Sequence, residues 1–147
     1  MDRSAAVLLT AVVGGLIALQ APINSRLGHS VGTFQSAFVA FAVGTVALAA
    51  LAGLARGGFG QIAQVRGLPW EYLLGGLLGA AYVTAVLVTV RTLGAGGVTA
   101  ATIAGQLAMS VVVDHYGWLG VERDPINGAK VLGLLLLAGG TFLVVRG

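Results

Sequence analysis

Five polar residues, Thr99, Thr102, Gln106, Ser110 and Asp114, follow one another at spacings of three, four, four and four in a stretch otherwise made mostly of Val, Ala, Leu, Ile and Met. On a helix turning about 100° per residue their side chains fall within an arc of about 120°. Such a stripe presents two hydroxyls, an amide with four hydrogen-bonding positions, a further hydroxyl and a carboxylate to one side of an apolar helix. Uncompensated polar groups are costly in hydrocarbon, so the stripe must face protein or a water-filled cavity. Two kinds of chemistry fit it. The hydroxyls and Gln106 can bind a small polar molecule or bond to neighbouring helices, and Thr99, Thr102 and Ser110 can also satisfy themselves on their own helix carbonyls. Asp114 can take a proton or a cationic group, or anchor the helix end against Arg123 or Lys130. His115 adjoins it but points about 100° away.

A second set of polar residues lies upstream. Gln20 and Asn24 are four apart and share a helical face, with Pro22 between them. Proline removes the bond to the carbonyl of Ala18 and clashes with that turn, so a kink and a free carbonyl are expected there. Broken helices of that kind form polar sites in transporters. The run Asn24-Ser25-Arg26-Leu27-Gly28 reads equally well as a plain C-terminal cap, with Arg26 at the negative end of the dipole. Gln35 opens the next apolar stretch. Tyr82 falls at mid-depth in a later one, where its ring lines a cavity or fills space.

The elements that must hold these residues follow from composition. The 147 residues are 57% hydrophobic and only 9% charged, with 24 glycines and a mean hydropathy of +0.96. Soluble domains carry about 25% charged residues, so a membrane protein is indicated. At about 20 apolar residues per crossing, five segments emerge, over about 4–27, 31–55, 69–91, 97–119 and 126–145. Together they make one all-α transmembrane domain over 1–147. The longest connection, Arg56 to Leu68, is too short to join separate domains. Pro69-Trp70-Glu71-Tyr72 suits a helix start at the membrane interface. Gly75 and Gly79, and later Gly133, Gly139 and Gly140, would allow close helix approach. Lys130 would reach outward to the interface.

Several functions are excluded or disfavoured. The eight basic residues are scattered and no aromatic-basic cluster accompanies them, which argues against nucleic acid despite a net charge of +3. Cysteine is absent, so disulfides and cysteine-ligated metal are ruled out. No metal-ligand cluster, nucleophile–base pair or phosphate loop points to an enzyme or to a cofactor. The first apolar stretch is too long for a cleavable signal peptide. With five spans, Arg3, Arg56, Arg66, Arg123 and Lys130 lie on the N-terminal side and Arg26, Arg91 and Arg146 on the other. That balance favours a cytoplasmic N-terminus by a small margin and leaves dual insertion open.

Ala18-Leu19-Gln20-Ala21-Pro22-Ile23-Asn24, the Pro69-Trp70 pair followed by Gly75-Gly76-x-x-Gly79, and Gly105-Gln106-Leu107 with Ser110 and Asp114-His115-x-Gly117 together resemble the YdcZ-like family. That family is a bacterial inner-membrane branch of the drug/metabolite transporter superfamily. The resemblance covers essentially the whole chain in order, and the Gln-to-Asp-His block is its most specific part. It implies a five-helix unit, half of a ten-helix inverted-repeat transporter, completed by a second copy or a paralogous subunit. An odd number of spans inverts a second copy automatically. The function so implied is secondary transport of a small molecule by alternating access, with Gln20, Asn24, Gln35, Tyr82, Gln106 and Ser110 lining the pathway. Asp114, with His115, would bind a proton or cation. The rival reading is a non-transporting membrane subunit that stabilises another protein through its glycine-rich faces.

Overall fold

A computed structural model describes residues 2–55 and 58–147, and among these the chain is helical, without strands. Arg56, assigned above to the N-terminal side, lies outside the described residues. Four helices are long and apolar enough to cross a membrane: α1 (Arg3–Val31), α2 (Thr33–Leu54), α3 (Leu74–Tyr116) and α4 (Gly128–Arg146). Short 3₁₀ turns cover Ile62–Gly67, Trp70–Leu73 and Trp118–Gly120. α3 is interrupted at Gly94, whose backbone (φ 70°, ψ 171°) is not helical. That conformation is essentially reserved for glycine. It divides α3 into two arms, 74–93 and 95–116, each long enough at about 1.5 Å per residue for one crossing. The chain thus has four to five long apolar helices, depending on whether the arms are taken together or apart.

The residues also divide into two compact units, Met1–Arg91 and Thr92–Gly147. In the first, α1 and α2 form a hairpin joined at Gly32. This glycine has φ 98° and donates its N–H to the carbonyl of Gly28 at 3.0 Å. Here two expectations are corrected. The first helix does not end in a cap at 24–28, and Pro22 does not break it: α1 is a single helical element to Val31 with Pro22 inside. Apolar membrane helices tolerate proline because the alternative, non-helical backbone in hydrocarbon, is worse. Gly28 therefore stays helical, and the residue that leaves the helix is Gly32, which carries no Cβ to oppose a positive φ.

Ala37, Val83 and Leu87 make the buried cluster of this unit, Leu87 being fully enclosed. Gly75 has no described atom within 4 Å of a Cβ built on it, but Gly79 of the same expected pair lies against Phe41, whose ring stands 3.5 Å from where a Cβ would project. Gly133, Gly139 and Gly140 do not behave that way. No described atom stands within 4 Å of a Cβ built on any of them. In the second unit the close approach is made instead by Gly96 and Gly97, which pack on Val144 and Val145 of α4. Thr141 adds a hydrogen bond to the carbonyl of Ala100 at 3.1 Å.

Candidate functional site

In the first unit, Gln20 and Asn24 share a face of α1 but have different surroundings. Gln20 is exposed in a cleft of about 220 Å³ lined also by Ala40, Phe41, Gly44, Thr45 and Leu48. Ligand pockets usually measure about 300–1,000 Å³, so this cleft alone is too small for a whole substrate. Asn24 is buried, and its carbonyl accepts a 2.6 Å hydrogen bond from the hydroxyl of Ser36. Ser36 itself is fully enclosed. Sequence reasoning places it beside Gln35 at the opening of the second segment but gives it no role, because the pairing spans a turn and twelve residues. Gln35 is exposed and curls back over Gly32. Tyr82 is 38% exposed. No hydrogen bond among the described residues joins Gln20, Asn24, Gln35 or Tyr82 to one another.

At the turn of the α1–α2 hairpin stands Arg91, which sequence reasoning used only for orientation. Its guanidinium donates to the hydroxyl of Thr33 at 3.5 Å and passes 3.4 Å from the Cβ position of Gly28.

The polar stripe lies in the second unit, along the 95–116 arm. Thr99, Thr102 and Asp114 are half-buried, while Gln106 and Ser110 are exposed. A contrast with other hydroxyls in the protein is informative. Thr10, Thr84 and Thr89 each donate to the carbonyl four residues back, at 2.8, 2.8 and 3.0 Å. Local self-satisfaction is thus available to these helices. None of the five stripe side chains makes any hydrogen bond among the described residues, so the whole stripe is chemically free.

The stripe ends in a charged cleft of about 540 Å³ lined by Asp114, Glu122, Arg123 and Asp124. The last carbonyls of a helix lack intrahelical partners, and here the following loop supplies them. Asp124 N–H donates to the carbonyl of Asp114 at 2.9 Å, and Arg123 Nε donates to that of His115 at 3.0 Å. The His115 ring turns to the loop as well, its Nδ1 accepting the N–H of Ile126 at 3.1 Å. Lys130 does not reach outward as expected. Its Nζ returns to the loop, 2.8 Å from Asp124 Oδ1, and also donates to the carbonyls of Asp124 and Pro125. That is the only ion pair among the described residues. Neither Arg123 nor Lys130, the basic groups expected to approach Asp114, pairs with its carboxylate. Asn127 caps α4 by accepting the N–H of Lys130 at 3.0 Å.

Among the described residues, a strand-free fold with several helices of membrane-spanning length defines a polytopic membrane protein. Residues 5–143 match the family model described as "Putative inner membrane exporter, YdcZ". The chain belongs to this family of the drug/metabolite transporters, and is a multi-pass inner-membrane protein. An exporter family implies a small-molecule cargo and lipid surroundings. Comparison with curated proteins and with solved structures finds no match.

Proposed function

We propose that the protein is a five-span half-transporter that exports a small polar molecule as an oligomer, without enzymatic chemistry. In this reading each arm of α3 crosses the membrane once, 1–147 forms one five-helix domain, and two copies, inverted relative to each other, alternate access to a shared pathway. The observation that carries it is the unpaired state of the stripe. Gln106 and Ser110 offer an amide and a hydroxyl from an apolar helix with no partner among the described residues, and Thr99 and Thr102 forgo the back-bonds that Thr10, Thr84 and Thr89 make. A polar surface of that kind within hydrocarbon needs a polar occupant or a second subunit. Gln20, Asn24, Gln35 and Tyr82 are the accompanying pathway residues, and Asp114 with His115 forms the candidate proton or cation site.

Two experiments test this reading. Because the chain has no cysteine, single cysteines at Asp2 and Gly147 can be labelled without background. Inverted copies require both positions to react from both faces of the membrane, and one-sided labelling of each would remove the inverted arrangement. A small-molecule panel scored by thermal stabilisation, with the hits then followed as flux in proteoliposomes, tests transport itself. Stabilisation without flux would point to an assembly subunit. With a transported compound in hand, Asp114→Asn should leave the protein folded and flatten the pH dependence of flux. An Asn variant with the wild-type pH profile takes Asp114 out of the mechanism.

A further inference from the structure

His115 sits where α3 gives way to the loop that leads to α4, and it holds that loop with both its backbone and its ring. The carbonyl accepts from Arg123 and the ring Nδ1 accepts from the backbone N–H of Ile126, at 3.0 and 3.1 Å. The second bond carries a chemical condition. Nδ1 can accept a proton donor only while it is itself unprotonated, and in the imidazolium form both ring nitrogens are donors. Ile126 N–H would then face another N–H, and its bond must break.

We propose that His115 is a proton-released latch: neutral, it pins the 117–127 loop to the end of α3, and protonated, it lets the Ile126 side of the loop go. The sign follows from linkage. A proton at Nδ1 is compatible only with the released loop, so the latch strengthens as pH rises and is lost as pH falls. Histidine is the side chain whose ordinary charge change falls between about pH 5 and 8, so that is the window the test spans. Every charged group around the ring bears on it. The charged groups of the elements that meet there are Asp114 on the same helix, Glu122, Arg123 and Asp124 on the loop, and Lys130 on α4. Tyr116 stands edge-on to the ring at 4.8 Å. Two of these charges, Lys130 and Asp124, are tied to each other at 2.8 Å, which keeps the far end of the loop attached when the His115 end opens. The bonds from Arg123 to the His115 carbonyl and from the Asp124 N–H to the Asp114 carbonyl do not involve the ring, so protonation frees Ile126 while the rest of the loop stays attached. The latch does not depend on the protein being a transporter.

The test reads the Ile126 amide directly. The chain has five isoleucines and two histidines, so full-length protein labelled with ¹⁵N-isoleucine in lipid nanodiscs gives few signals, and Ile126→Leu identifies the relevant one. Amide exchange, corrected for its intrinsic pH dependence, should show Ile126 losing protection by about fivefold or more between pH 8 and pH 5, the factor one ordinary hydrogen bond supplies. In His115→Asn the amide oxygen takes the place of Nδ1 and accepts at every pH, so protection should hold constant. A flat wild-type profile overturns the proposal. An equal loss in the Asn variant also overturns it, by assigning the effect to the carboxylates. Should the Asn variant fail to fold, a His29→Gln background leaves His115 as the sole ring to titrate. The Ile126 transition must then share the midpoint of that ring's C–H signals, and a separate midpoint refutes the latch.

Discussion

Ser36 and Ser110 are the same residue in the same kind of apolar helix, and the protein uses them in opposite ways. Ser36 is fully enclosed in the first unit and donates to the carbonyl of Asn24 at 2.6 Å. Ser110, in the second, is exposed and without a partner among the described residues, as is Gln106 one turn earlier. In water this difference would mean little, since an exposed serine is hydrated. Within a bilayer it separates polar groups that are finished by their own chain from polar groups that await something else. Ser36 thus belongs to an interior that its own chain completes, whereas Gln20 in the cleft of the first unit and the stripe of the second are chemically open.

If that division is right, the largest loss of stability comes from the completed interior. Leu87 is enclosed among Ala37 and Val83, so Leu87→Ala leaves a cavity and should cost about 2–4 kcal/mol, read as a lowered denaturation midpoint in detergent. A loss no greater than that of an exposed leucine such as Leu132 would erase the contrast between the regions. Next comes Gly94→Ala. The alanine Cβ meets no described atom, but φ 70° with ψ 171° strains it, at about 1–3 kcal/mol. No change there would mean that the two arms of α3 can join as one continuous helix. Ser36→Ala sharpens the comparison further. It deletes the donor to Asn24, whose carbonyl remains within the helical ladder, and should cost about 1 kcal/mol, whereas Ser110→Ala should be silent.

Sequence reasoning reached the helices and not their joints. The apolar lengths located α1, α2 and α4, and the two stretches expected at 69–91 and 97–119 run together as α3 with only Gly94 out of helical geometry. Pro22 misled because its local preference to break a helix is opposed by the need to satisfy backbone in hydrocarbon, which no local rule weighs. Gly28 and Gly32 look alike in sequence, and only the packing of Ser36 and Arg91 beside Gly28 shows which one turns. The stripe was legible because helical periodicity alone defines it. Its unpaired state was not, because back-bonding by Thr84 and its absence at Thr99 depend on rotamers rather than residue type. The latch was invisible for a related reason: it joins a ring to a backbone N–H eleven residues away, and any residue but proline supplies that donor.

The smallest expected effect on stability is the one that tests the open region most sharply. Gln106 is exposed, makes no hydrogen bond among the described residues and lies at the centre of the stripe. Leucine has nearly the same size, is at home in the bilayer and removes only the amide. Gln106→Leu should therefore shift the denaturation midpoint by no more than other surface changes, within about 0.5 kcal/mol. Any compound that stabilises the wild type through the stripe should lose that effect, because a site built to bond a polar ligand discriminates strongly once its own polar group is gone. The dissociation of the two readouts is the point. Ser36→Ala should change stability and leave the ligand response of the folded fraction intact; Gln106→Leu should do the reverse. If Gln106→Leu instead costs as much stability as Ser36→Ala, the amide is a structural bond between subunits. The stripe would then belong with the completed interior of the oligomer rather than with its pathway.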